Sequence, residues 1–115
     1  MSAWTWPDSL DALVAAPRHH TLIFENDRIR VLDTRIPPGD IVPVHTHRWP
    51  AVYHAVSPGD FVRRDPEGKV LLDTRITPRK PHQSPLSEPL IPHSVENVSA
   101  SEIRLISVEM KDLQP

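Results

Sequence analysis

A chain of 115 residues with net charge −2 and a pI near 6.4 is sized for one hydrophobic core, and its scattered basic residues lack the clustered footprint of a nucleic-acid binder. The absence of cysteine excludes a disulfide framework and thiol catalysis. No apolar stretch approaches a membrane span, and Met1–Asp8 has neither the basic start nor the apolar run of a signal peptide. A soluble, cytoplasmic protein with no nucleic-acid or membrane partner is therefore expected.

The 14 prolines are more than twice the usual share, and they punctuate short apolar segments. Proline is confined to turns, strand starts and sheet edges, so this placement indicates an all-β domain and not a helical bundle. The first element is one short helix over residues 9–16, capped by Asp8 or Ser9, with Leu10, Leu13 and Val14 on one face and Pro17 ending it. Strands are then predicted over 20–26, 28–36, 41–47, 51–57, 61–64, 70–76, 89–91, 94–98 and 103–110. Between them, 26–27, 37–40, 57–60 and 65–68 carry Pro, Gly, Asn or Asp where those residues preset a turn. Residues 77–85 read as a loop crossing one end of the barrel. Eight or nine short strands at regular spacing indicate a sandwich or barrel.

The strand at 41–47 carries the strongest chemical signal. His45 and His47 stand at i and i+2 just after the Pro37–Pro38–Gly39 turn, so both imidazoles leave one face, roughly 6.6 Å apart along the strand, and can converge on one ion. His93, in a second short alternation after a proline-rich stretch, is the best third ligand.

In these residues the chain resembles the cupin family over about residues 25–110. Gly39, His45, His47 and Gly59 match the spacing of the first cupin motif, and His93 and Asn97 match the second. The motif's carboxylate falls on Ala51 or Val52, with the spacing back from Gly59 selecting Val52, so the ligand set implied is His45, His47 and His93 without a glutamate. The resemblance implies an all-β fold, a cupin double-stranded β-helix or jelly-roll barrel with a short N-terminal helix. The corresponding division is an N-terminal segment 1–24, the barrel 25–110 and a tail 111–115. It also implies a homodimer, since small cupins pair through their sheets.

His54 shares a face with Val52; if that face points inward, His54 replaces the missing carboxylate or supports a ligand, although a packed or hydrogen-bonded histidine is the favoured reading. His19, His20 and His82 read as surface polarity. Trp4, Trp6 and Trp49 read as core or interface residues and not as a ligand-stacking set. Of Arg63 and Arg64, which face opposite ways on a strand, at most one enters the barrel, and a solvated charge is favoured for both. No nucleophile elbow, glycine-rich phosphate loop or acid–base carboxylate pair is recognisable, so no catalytic residue is assigned.

Neutral imidazoles suit a divalent transition metal, with iron first and Ni, Zn, Cu or Mn as alternatives. The expected function is a metal-binding cupin, read first as a mono-iron dioxygenase-like oxidoreductase acting on a small metabolite. The alternatives are a non-catalytic small-molecule binding or sensing cupin with a vestigial site, and a purely structural metal.

Overall fold

The computed structural model describes residues 4–79 and 86–113. Its elements are a short 3-10 helix at Asp8–Leu10, α1 (Ala12–Ala15), β1 (His20–Glu25), β2 (Ile29–Ile36), β3 (Ile41–His47), β4 (Ala51–Ser57), β5 (Phe61–Arg64), β6 (Val70–Asp73), β7 (Leu86–Ser87), β8 (Leu90–Asn97) and β9 (Ile103–Met110). The all-β expectation is met. The strands form two antiparallel sheets, a five-stranded one in the order β1-β2-β9-β4-β7 and a four-stranded one in the order β3-β8-β5-β6. Among the described residues no helix is long and apolar enough to cross a membrane.

The core follows from the two-residue period of the strands. On β2 the residues Arg30, Leu32, Thr34 and Ile36 are buried while their neighbours are less so. Ala16, Ile36, Val42 and Ile103 form the centre of an apolar cluster closed by Phe61, Val95 and Leu105. Leu32 is fully buried, a burial worth roughly 1.5–3 kcal/mol for a side chain of that size.

The helix departs from the single element expected over 9–16. Its chain breaks at Asp11, whose extended backbone ends the 3-10 turn and whose carboxylate accepts from the Leu13 amide at 3.1 Å to cap α1. The cap is thus Asp11 and not Asp8 or Ser9, because the same carboxylate is drawn inward by Arg30 at 2.9 Å. The strand expected over 70–76 stops at Asp73, which accepts from the Arg75 amide in a turn. The two strands expected at 89–91 and 94–98 are one strand, β8, and β7 precedes it. Of the expected loop 77–85, residues 80–85 lie outside the described residues.

The prolines inside β3 and β8 are accommodated by bulges. The β3–β8 register advances three residues on β3 against two on β8 between Val42 and His45, and two against three between His45 and His47, placing Pro43 and Pro92 at the irregularities. A proline has no amide hydrogen for the ladder, so a bulge is where it costs least. Gly39 has a positive φ of 76°, which the turn between β2 and β3 requires. Asn97 is fully buried and donates to the carbonyls of Ile36 and Ser101, both at 2.8 Å, locking the turns at that end of the barrel.

Candidate metal centre

His20, His45 and His47 are brought together so that one ligand atom from each lies within 4.8 Å of the other two. His45 and His47 come from β3 and His20 from the first position of β1, so the group joins the edges of the two sheets. His93, on β8 opposite His45, packs its ring 4.4 Å from the His45 ring and 6.0 Å from that of His47. It lines the same cavity but stands outside the tight group of three. All four histidines are buried.

The hydrogen bonds fix how these rings are presented. His45 Nδ1 faces the Pro43 carbonyl at 2.7 Å, His93 Nδ1 the Ile91 carbonyl at 2.6 Å, and His20 Nδ1 the Ala16 carbonyl at 3.0 Å. His47 Nδ1 faces Glu109 Oε2 at 2.9 Å. A carbonyl or carboxylate oxygen only accepts, so each Nδ1 carries the proton and donates, which leaves Nε2 as the nitrogen each ring can offer to a metal. Such outward anchoring is the arrangement that orients imidazoles for a metal. For His45 and His93 the anchoring carbonyl lies two residues earlier in the chain, at the proline bulge.

Burial, followed by the neighbouring histidines, pushes His45 well below its ordinary pKa, so the ring stays neutral. His20 is lowered to about 4, first by burial and then by His47, and His93 to about 3, chiefly by burial. Neutral rings with lone pairs are the chemical form a divalent cation takes up, and the donor set therefore fits one.

Behind His47 lies a charge network. Glu109 is fully buried and carries both His47 and Arg30 on its two carboxylate oxygens. The Arg30 guanidinium also forms a two-point contact with Asp11, at 2.9 and 3.0 Å. Burial alone would raise the Glu109 carboxyl, but His47 and Arg30 outweigh it and hold it ionised below its ordinary value. Burial likewise opposes charge on Arg30, and the two carboxylates overcome it and raise the guanidinium. The sequence signal for Glu109 is its parity with Ile103, Leu105 and Ser107 on β9, whose inward positions otherwise lack charge.

Several sequence expectations are corrected here. On β4 the cavity-lining residues are Tyr53 and Ala55, and His54 is exposed on the other side. His54 therefore stands on the face of β4 away from the cavity, because the inward parity is that of Ala51 and not of Val52. Ala51 is fully buried directly opposite Glu109 in the β4–β9 register, so the carboxylate near the centre comes from the neighbouring strand. His20 is not surface polarity but part of the histidine group. His19 is also buried, with Nε2 2.7 Å from Asp40. His82 lies outside the described residues. Trp49 packs against the Arg30 and Lys111 cations, 5.0 and 5.3 Å from its ring, and is absent from the cavity wall.

The histidines open on a cavity of about 380 Å³. Its walls are largely apolar, with Ile36, Val42, Leu90 and Val95 among them, and Tyr53, Phe61 and Arg63 line it beside the imidazoles. Tyr53 sets its ring 6.0 Å from that of His47.

The lowered histidines predict a pH dependence for the metal-free protein. His20 and His93 titrate near 4 and near 3 when folded, against 6.5 ordinarily, so the unfolded chain binds more protons between those values. Their contribution to stability is complete above pH 6.5 and is lost as the pH falls toward about 4 and then 3. Urea midpoints of the chelator-treated protein are expected to drop between about pH 7 and about pH 5; a midpoint that holds or rises on acidification contradicts buried neutral imidazoles.

No family model matches the chain, and no curated protein matches it. Solved structures do. A cupin domain from Bordetella pertussis Tohama I shares 26% identity at a TM-score of 0.65, over 80% of this chain and 91% of that one. An RmlC-like cupin family protein with a double-stranded β-helix fold from Methanocaldococcus jannaschii shares 9% identity at a TM-score of 0.58, over 79% and 77% of the two chains. The polyketide cyclase RemF from Streptomyces resistomycificus shares 15% identity at a TM-score of 0.56, over 96% and 80%. With its two antiparallel sheets closed around an inward histidine cluster, the chain belongs to the cupin superfamily.

Proposed function

We propose that this cupin is a divalent-metal-dependent enzyme of the dioxygenase-like kind, oxidising a small metabolite held in the cavity beside its histidine centre. The observation that carries the reading is the common anchoring of His20, His45, His47 and His93 through Nδ1, which leaves Nε2 of each ring as its ligand atom beside a space large enough for a small substrate. Neutral imidazoles leave the positive charge of a bound cation undiminished, which favours binding of an anionic or enolisable substrate. When bound, iron supplies Lewis acidity and a one-electron route to dioxygen.

The protein's own contribution is positional. The Glu109 carboxylate fixes the tautomer and orientation of His47, and Arg30 and Asp11 fix Glu109 in turn. The apolar walls exclude water, which strengthens polar contacts made at the imidazoles. Burial raises the Tyr53 hydroxyl above its ordinary pKa, so it meets a ligand as a neutral donor.

The test is reconstitution of chelator-treated protein with Fe(II) under anaerobic conditions, followed by nitric oxide as a surrogate for dioxygen. A stoichiometric high-spin nitrosyl EPR signal, lost in His47→Ala, is expected. Tight metal uptake without a nitrosyl signal would indicate a closed coordination shell and sink the dioxygenase reading in favour of a structural ion. Failure to take up Fe(II) or any other divalent metal would leave a binding barrel.

A further inference from the structure

We propose that Arg63 and Tyr53 form a binding subsite for the carboxylate of a small organic acid, with the remainder of the molecule directed at the histidine centre. As a statement about substrate this rests on the enzyme reading above; as a statement about binding it requires no metal.

The first observation is an arginine without an acid. Arg63 lines the cavity, its Nε is buried with no hydrogen-bond partner, and among the described residues no carboxylate pairs with it. The contrast with its neighbours is specific: Arg64, next in sequence and facing the other way, is bound to Glu96 at 2.8 Å, and Arg30 is held by both Glu109 and Asp11. A desolvated guanidinium is costly unless paired, and in a cavity the missing partner is one that enters from outside. Arg79 compounds the cost. It lines the same cavity, and the two guanidinium carbons stand 5.8 and 5.9 Å from the Phe61 ring. Burial first and Arg79 second lower the Arg63 pKa, as expected of a cation lacking its counter-charge. The carboxylate among the cavity-lining residues, Asp60, accepts from the Thr74 hydroxyl at 2.9 Å and makes no ion pair with Arg63.

The second observation is the Tyr53 hydroxyl, which is buried without a hydrogen-bond partner on the same cavity wall. A buried donor left unmet costs about as much as a lost hydrogen bond, and a carboxylate beside Arg63 offers an acceptor for it.

Register places both groups beside the imidazoles. Arg63 on β5 is opposite Val95 on β8, and Val95 and His93 both line the cavity, so Arg63 stands one diagonal step from His93, about 7–8 Å along the sheet face. Tyr53 stands against His47. An acid anchored at Arg63 thus carries its remaining atoms toward the Nε2 donors, with Phe61 and the aliphatic walls covering an apolar body.

The test is calorimetric titration of metal-free protein with benzoate and hexanoate, their neutral amides and inorganic phosphate. Wild type is expected to bind the acids and to bind the amides at least about tenfold more weakly. Arg63→Gln should lose about tenfold or more toward the acids only, Arg63→Lys should recover part of that loss, and Tyr53→Phe should lose less than Arg63→Gln. Thermal unfolding of each variant confirms that it is folded. Equal binding of acid and amide, unchanged binding by Arg63→Gln, no binding of either acid, or phosphate competing as well as the organic acids would each overturn the subsite. Acid binding that appears only after metal loading would place the carboxylate on the ion, overturning the subsite and sparing the enzyme reading. Binding in a protein that takes up no metal would do the reverse.

Discussion

Glu109→Ala is expected to cost about 3–5 kcal/mol of stability, the largest single effect in this protein. Glu109 is fully buried and its two oxygens hold Arg30 and His47, so removing it strands a buried guanidinium and frees the His47 ring at once. Asp11 remains on Arg30, but through the other guanidinium nitrogens, and cannot reach the vacated Nε. Glu109→Gln keeps an acceptor for His47 Nδ1 but turns an amide donor toward the Arg30 Nε–H, so it too is destabilising. The double replacement Glu109→Leu with Arg30→Met removes charge and counter-charge together and should lose less than the sum of the single changes. Denaturant unfolding of the cycle measures this directly. Strictly additive losses would show that Arg30 and Glu109 do not depend on one another. Glu109→Ala should also weaken metal binding, by the roughly 10–100-fold typical of groups that orient a ligand.

The second large effect concerns which histidines hold the ion. His20→Ala, His45→Ala and His47→Ala are each expected to weaken divalent-metal binding by more than about 100-fold, beyond the range for loss of an orienting group, because these three present ligand atoms within 4.8 Å of one another. His93→Ala is expected to weaken it less, by about tenfold, since its ring lies beside that of His45 but outside the group of three. Competition of Zn(II) against a chromophoric chelator ranks the four variants. Metal retained by His20→Ala and lost by His93→Ala would reverse the assignment and restore the set His45, His47 and His93 that the sequence motifs imply. Equal losses in all four would indicate a four-imidazole shell.

The parts of this protein legible in its sequence are those that depend on neighbours along the chain. Turn residues and the two-residue period are local, and they place β2 to β5 and β9 to within a residue or two. His45 and His47 are legible for the same reason: two positions apart on one strand, they share a face whatever that strand packs against. Pro92 split β8 into two expected strands, because the chain itself does not say that a bulge will absorb the missing amide. The motif's spacing selects Val52, and His54 would enter the barrel only if Val52 did, but the residues of β4 that face in are Ala51 and Tyr53. A displacement of one residue on a strand exchanges its faces.

What the sequence by itself determined is an all-β barrel with a paired-histidine strand at its mouth. What the tertiary structure decided is the company those histidines keep. His20 begins a strand whose other residues are exposed, and nothing near it in sequence marks it as buried. Glu109 reaches His47 across 62 residues, and Arg63 faces the cavity only because β5 pairs with β8 in the register that it does. The chemistry of the site lies in contacts between strands of two facing sheets, and the pairing of strands distant in sequence is set by the burial of the whole core, a quantity that no local stretch of residues contains.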